Sequence, residues 1–380
     1  MDRVFITGQY RSGTTLTEKI LSNNPNIKIA SQPFPYLYFE LKNKFYKKLG
    51  ISRRYPLSDL FGEKDYTNQE FCTYLKDTKL SSKEVENLLF DMEGYFGNWS
   101  PQLKKNYNKI YGGELRHIYF SLTKAYIDLF EDSSTKVIGS KEILAEEYIP
   151  YFLNNNIKVI HVIRDPRDLI VSLNFGKGEY FTGGKRPVLY SIRGWRKSVA
   201  FAIQCQNHPY YTLIRYEDLV LNFSDTMTKC MHFLNIENHF DSDSIIIKDQ
   251  FGKEWSSNSS FQNTSVINKD AVNKFTKFLD KETISYIEKT CQFELQYLNY
   301  KLTNISDQLK DYDLYSYVEP FKINRNDFEQ SYSTDKDTLD LEVRRLDFLS
   351  RKLKIEDQVK RQFFIFPRVY EVLNAFNESR

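Results

Sequence analysis

The stretch RVFITGQYRSGTTLTEKIL, residues 3 to 21, constrains the chain more than any other. Residues 3 to 7 read as a short apolar strand, and Ser12 to Leu21 as a helix with Leu16, Ile20 and Leu21 on one side, stopped by NNPN at 23 to 26. Strand, glycine loop and helix are the opening unit of an α/β fold. Gly8 and Gly13 let the backbone turn tightly, so that successive N–H groups and the helix N-terminus face an anion.

The rest of the pattern agrees with that start. IKIA (27 to 30) suits a second strand, TKVIGSKEI (135 to 143) a third, KVIHVI (158 to 163) a strand buried on both faces, and TLIR (212 to 215) a fifth, with EDLV opening a helix. This alternation predicts a P-loop-like, doubly wound, mainly parallel sheet with helices on both faces. The aromatic, Lys-rich stretch from about 34 to 130 has turns at PFP, YPLSD and FGNWS and predicts a mostly helical insertion. Helical pattern returns from Val272 to about Leu298, so an α/β domain over residues 1–300 is expected, followed by a helical extension over 301–380. In that extension Leu339, Val343, Leu346, Leu349 and Leu353 recur at helical spacing and Pro367 interrupts a later apolar run; it packs either on the core or on a second copy in a homo-oligomer.

Composition removes whole classes of function. Net charge is +3 and spread along the chain, against a nucleic-acid groove or polybasic membrane patch, so an anion site must be local. No apolar run reaches the roughly 18 to 20 residues of a membrane span. Cys72, Cys205, Cys230 and Cys291 lie far apart without metal-site spacing, and no metal is expected. They read as reduced, buried thiols. The strand-like run begins by Val4, leaving no room for a signal segment, and a cytoplasmic location is the expectation. The 27 Tyr and 29 Phe fit an aromatic core.

GQYRSGTT lacks the lysine that follows the second glycine in nucleotide triphosphatases and reaches the terminal phosphates; Thr14 stands there. Arg11, inside the loop, takes over charge neutralisation, closer to a bridging phosphate and with a guanidinium able to bind in bidentate fashion. A second cationic motif, RDPRDLIVSLNF (164 to 175), follows the buried strand KVIHVI. Ligands of such sheets bind beyond the carboxyl ends of the strands, so Arg164 and Arg167 emerge beside the first loop, and Ser172 returns to the same anion. Two such loops imply a ligand with phosphates at both ends.

RSGTT and RDPRDLIVS together resemble the two phosphate-binding motifs of sulfotransferases that use 3′-phosphoadenosine 5′-phosphosulfate (PAPS). RYEDLV (215 to 220) and IEKTCQFELQYLNY (287 to 300) are similar to the family's following strand and its closing helix, so the resemblance spans roughly residues 3 to 300. It implies PAPS as co-substrate, no metal, and transfer of the sulfuryl group to a hydroxyl or amine with release of 3′,5′-bisphosphoadenosine. By the same resemblance, Arg11, Ser12, Gly13, Thr14 and Thr15 hold the 5′-phosphosulfate, and Arg164 and Ser172 the 3′-phosphate. Ser259 and Ser260, in WSSNSSF, fall where relatives cover the nucleotide. A sulfuryl group carries less negative charge than a phosphoryl group, so the missing Mg²⁺ apparatus ceases to be an anomaly. Fixed donors are still required for the charge on the departing oxygen.

Lys141, in GSKEI, resembles the lysine the family places against the sulfuryl group. The base is less legible. In the tyrosylprotein branch it is a Glu, and that position falls on Gln32, which cannot accept a proton. Glu142, beside Lys141, is the first alternative, a carboxyl whose pKa an apolar pocket would raise. His117 and Glu114 in GGELRH are the second, since cytosolic relatives use a histidine, and Glu40 is a third. His161, inside the buried strand, reads as a core residue. The acceptor stays open among small molecules, lipids, carbohydrates and peptides, with aromatic residues 33 to 45 and 95 to 99 as candidates for its pocket. Two rivals remain: a Mg²⁺-dependent kinase or NTPase with Asp165 or Asp168 on the metal, and an inactive nucleotide-binding scaffold.

Overall fold

The computed structural model describes residues 1–52, 57, 66–130, 134–240, 245–249, 251–255, 259–303, 312–321 and 336–378. Five parallel strands form the central sheet: β1 (Asp2–Thr7), β2 (Ile27–Ser31), β3 (Val137–Lys141), β4 (Lys158–Ile163) and β5 (Tyr211–Arg215). Their order is β2-β3-β1-β4-β5. The register runs Ile6 opposite Lys141 on one side of β1 and Thr7 opposite His161 on the other. All strand exits therefore open on one edge, with the β3 exit and the β4 exit flanking the β1 loop.

Each strand forms for a visible reason. β3 and β4 are buried along their whole length, which suits their run of β-branched and small side chains. Helix α1 (Thr14–Ser22) begins two residues later than its sequence pattern suggests. Arg11 (φ 61°) and Gly13 (φ 100°) are left-handed, so the loop cannot join the helix before Thr14. The insertion carries α2 (Pro35–Lys48), α3 (Asn68–Asp77), α4 (Ser82–Tyr95) and α5 (Leu115–Ile127), with a two-strand ribbon pairing residues 79–80 with 113–114. Capping boxes at Thr67/Glu70 and Ser81/Glu84 start α3 and α4. A buried ion network ties the insertion to the core: Glu147 takes the ammoniums of Lys42 from α2 and of Lys197, the latter at 2.7 Å. Most of the YPLSD turn, and residues 256–258 of the serine-rich loop, lie outside the described residues.

After β3 comes α6 (Ile149–Asn154), after β4 come α7 (Pro166–Asn174), α8 (Gly178–Thr182) and α9 (Val188–Cys205), and after β5 the helices Tyr216–Leu221 and Phe223–Leu234. The stretch from Val272 is less continuous than its pattern implies: Phe275–Phe278, Lys281–Thr290 and Gln292–Tyr297 are separate helices. In the extension, Lys336–Arg351, Asp357–Phe364 and Pro367–Glu378 are helical. Pro367 begins the last helix, where its missing N–H is harmless, after a turn at Ile365 (φ 65°). Leu349, Phe364, Val369 and Leu373 join the core around α9. Glu342 bonds Arg196 at 2.5 Å and Arg193 at 3.0 Å, and Arg345 reaches Glu294 at 2.7 Å. Within one chain, the extension thus packs on the core.

His161 is fully buried, its two ring nitrogens 2.9 Å from the Tyr211 hydroxyl and 2.8 Å from the Ser198 hydroxyl. Burial pushes its pKa down from 6.5 to about 3. Between those values the unfolded chain binds a proton that the folded chain refuses, so stability falls as pH falls through that window, by about 1.4 kcal/mol per pH unit. Urea titrations at stepped pH should show His161→Gln losing one proton's worth of this slope; identical slopes in the two proteins would contradict a neutral buried imidazole.

Candidate functional site

The loop after β1 and the loop after β4 meet at the sheet edge. Gly8 has no room for a side chain, since a Cβ there would come within 2.3 Å of the Val162 carbonyl oxygen on β4. At Gly13 the Cβ would come within 2.4 Å of the Tyr216 ring, in a backbone conformation that L side chains resist. Ser12 is fully buried, and its hydroxyl has no hydrogen-bond partner among the described residues. Thr14 and Thr15 open α1, whose first N–H groups lack intrahelical acceptors. A cradle of this kind, with an orphaned hydroxyl, fits an anionic ligand.

Arg11 leaves this loop and crosses to the other. Its Nε donates to the Ser172 hydroxyl at 3.1 Å and an η nitrogen donates to the Ser260 hydroxyl at 3.2 Å. Ser172 and Ser260 are 3.1 Å apart, oxygen to oxygen, and Ser260 also donates to the Ser172 carbonyl at 2.8 Å. Arg164 donates to the carbonyls of Arg11 (3.3 Å) and Ala271 (2.8 Å) and stacks 4.4 Å from the Tyr216 ring centre; its Nε has no partner among the described residues. Burial first, then the Arg164 charge, lowers the Arg11 pKa to about 10. Two guanidiniums close together in a buried setting favour an anion between them. Arg11, expected at the 5′ side, thus has its head group among the residues expected at the 3′ side.

Between the loops lies a cleft of about 430 Å³. Its lining includes five cations (Arg11, Lys19, Lys141, Arg164, Lys274) and two carboxylates (Asp168, Asp249), so the cleft is suited to a polyanion. Thr14, Thr15, Ser172, Ser259 and Ser260 also face it. Lys19 is paired with Glu18 at 3.0 Å. On the β3 side, Lys141 donates through Nζ to Gln32 Oε1 at 3.0 Å, while the Gln32 N–H donates to the Lys141 carbonyl at 2.7 Å. Gln32 is itself left-handed, φ 42°. Trp99 borders the cleft nearby, its chain anchored by the Ser100 hydroxyl donating to the Ser31 carbonyl at 2.8 Å.

The remaining sequence candidates lie elsewhere. Glu142 is buried and does not line the cleft; its Oε1 accepts the Phe34 N–H at 3.2 Å, and burial raises its pKa to about 8. Successive residues at a strand end face opposite ways, so the turn that brings Lys141 into the cleft takes Glu142 out of it. His117 is exposed at the start of α5, with Nε2 3.3 Å from an Arg116 η nitrogen. Glu114 lies 3.8 Å from Lys79, and Glu40 accepts from Asn43 on α2. None of these four borders the cleft.

Asp165 caps α7 and takes the Arg167 guanidinium at 2.6 Å; Arg167 also reaches Glu288. Asp168 accepts the backbone N–H groups of Asn273 (2.7 Å) and Phe275 (2.9 Å), drawing the segment after Ala271 over the cleft. Asp165 holds a backbone N–H and the Arg167 guanidinium, and Asp168 holds two backbone N–H groups, which weakens the case for either as a metal ligand. Among the described residues no group of three or more His, Cys, Asp or Glu has metal-site geometry. Sequence reasoning missed Tyr216, the platform under Arg164, and Trp195, whose indole N–H donates to the Arg164 carbonyl at 2.8 Å.

Gly13→Ala should cost about 1–3 kcal/mol in urea denaturation through its left-handed φ and its clash with Tyr216. Gly94→Ala, in α4 with open space around it, should be neutral or stabilising by up to about 1 kcal/mol. Equal effects at the two sites would contradict the tight loop geometry.

Among solved structures, the chain is similar to the sulfotransferase domain from the curacin biosynthetic pathway, with 16% identity over 79% of this chain and 98% of that one (TM-score 0.44). The sulfotransferase domain of the Synechococcus PCC 7002 olefin synthase gives 15% over 74% and 89% (0.42). Retinol dehydratase in complex with androsterone and inactive cofactor PAP gives 15% over 80% and 83% (0.34). Similarity at this level is too distant to carry residue roles. A search of curated protein sequences finds no significant match. The sulfotransferase domain family, however, matches residues 1–306, most of the chain and both anion loops. The chain belongs to the sulfotransferase domain family.

Proposed function

We propose that the protein uses PAPS and transfers its sulfuryl group, by in-line displacement, to a hydroxyl or amine of an organic acceptor. The observation that carries this reading is the meeting of two cationic loops in one cleft, bridged by Arg11 to Ser172 and Ser260. Strands in a sheet are about 4.8 Å apart, so the exits of the neighbours β1 and β4 leave only a short gap between the two loops. A nucleotide with phosphates at both ends spans that gap.

The 5′-phosphosulfate lies on the β1 loop, held by N–H groups of residues 12 to 15 with Ser12, Thr14 and Thr15. The 3′-phosphate meets Arg164, Ser172 and Ser260 on the β4 side. Arg11 then places its charge between the two phosphates, and the Trp255 indole and the aliphatic Leu16 side chain border the space for the base. On the opposite side the sulfuryl group faces Lys141, which stabilises charge as the bond to the 5′-phosphate opens. The acceptor enters beside Gln32 and Trp99. The clamp made by Asp168 supports this reading over a Mg²⁺-dependent kinase. The lysine in the cleft supports it over an inactive scaffold.

Retinol dehydratase is solved with PAP and with the small molecules androsterone and retinol, and a small organic acceptor is our proposal for this chain too. Among the described residues no helix is long and apolar enough to cross a membrane, and a cytoplasmic setting is part of the proposal.

Thermal denaturation with added ligands tests the reading. A hundredfold excess of 3′,5′-bisphosphoadenosine over its Kd should stabilise the fold by about 2.7 kcal/mol, in EDTA as well as without it. A larger effect from Mg-ATP, or none from the bisphosphate, would contradict PAPS use. Arg164→Ala should reduce the preference for the bisphosphate over AMP by about tenfold or more, the worth of one charge-assisted contact. An unchanged preference in calorimetric titrations would remove Arg164 from the 3′ site.

A further inference from the structure

Resting on that reading of the cleft, we infer that Lys141, held by Gln32, is the group that takes the proton from the acceptor. The geometry leaves this part to few others. Of the carboxylates that border the cleft among the described residues, Asp168 is engaged by the N–H groups of Asn273 and Phe275. Asp249 is engaged by those of Phe251 (2.9 Å) and Lys253 (3.0 Å) in its own turn. Glu142 faces the Phe34 N–H outside the cleft, and His117 is exposed beyond it. Lys141 is 2% exposed, yet it borders the cleft on the side where the acceptor must enter.

Gln32 is built to position that amine. Its side-chain oxygen accepts from Nζ, and its N–H holds the Lys141 carbonyl, so both ends of the lysine are fixed by one residue. The contact is made from a left-handed backbone at φ 42°, a conformation that glutamine rarely adopts and that its surroundings maintain. An amine that donates one hydrogen to Gln32 keeps its lone pair for a proton. The groups around Nζ are Glu18 and Lys19 from α1, Glu142 next in the chain, and Gln32. Burial, the largest influence, lowers the pKa to about 8; Glu18 and Glu142 oppose it and Lys19 adds to it.

During transfer the acceptor oxygen bonds to sulfur and its proton passes to the Nζ lone pair. The bond from sulfur to the 5′-phosphate oxygen breaks, and its electron pair leaves on the bisphosphate. The ammonium formed in this step supplies positive charge beside the sulfuryl group as negative charge grows on the departing oxygen, then returns its proton to water. An amide at position 32 thereby ceases to be a defect. It is a positioning residue, and the neutral lysine it holds does the work expected of a carboxylate there.

The test reads the lysine itself. In protein labelled with ¹³C at lysine Cε, the resonance lost in Lys141→Arg should titrate at least one pH unit below the ordinary lysine value. Gln32→Ala should move that midpoint by half a unit or more while leaving stabilisation by 3′,5′-bisphosphoadenosine intact. With PAPS and water as acceptor, sulfate release should rise about tenfold per pH unit up to the same midpoint and then level. Lys141→Ala should lower it about 100-fold, with recovery in proportion to free-base ethylamine. A Lys141 that remains ammonium beyond pH 10, or a Gln32→Ala midpoint that does not move, would overturn the inference. Either result alongside intact bisphosphate stabilisation sinks the lysine's role alone; loss of that stabilisation in the unsubstituted protein sinks the PAPS reading itself.

Discussion

The site depends on one interaction, the Arg11 guanidinium reaching from the β1 loop to Ser172 and Ser260 on the far side of the cleft. Arg11 can make it only because its backbone is left-handed and the next glycine is too, which turns the loop toward β4 before α1 begins. The return contact, Arg164 on the Arg11 carbonyl, closes the link from the other side. Two buried guanidiniums so close would be costly without an anion to share, and the cleft supplies a place for one.

The surroundings are organised to keep this junction in place. Tyr216 lies under Arg164 and against Gly13, so one ring sets the position of both loops. Trp195 from α9 fixes the Arg164 carbonyl, and Asp168 from α7 holds the segment that follows Ala271, a second acceptor of Arg164. The extension contributes indirectly. Its Glu342 and Arg345 lock onto Arg196 and Glu294, bracing α9 and the helix Gln292–Tyr297.

Much of this was legible in the sequence because local pattern and function coincide there. KVIHVI is apolar and β-branched at four of its six positions, which marks a buried strand. RSGTT and RDPRDLIVS carry their loop geometry in their glycine, proline and hydroxyl residues. What was not legible came from contacts between residues far apart in the chain. No spacing indicates that Tyr216 backs Gly13, or that both oxygens of Asp168 are taken by backbone N–H groups 105 and 107 residues later. Glu142 adjoins Lys141 in the sequence, but whether the cleft receives residue 141 or 142 is decided by the strand's facing, which the motif does not encode. Gln32 read as a gap because its partner, 109 residues away, was not visible.

The central claim is that one bisphosphate spans the two loops, with its 3′ end at β4. A crystal structure of the protein with 3′,5′-bisphosphoadenosine tests it most directly. Such a structure should show the 5′-phosphate on the N–H groups of residues 12 to 15 and the 3′-phosphate against Arg164, Ser172 and Ser260, with Lys141 beyond the 5′ end. A nucleotide bound in the reverse direction, with its 3′-phosphate toward Gln32 and Lys141, would contradict it.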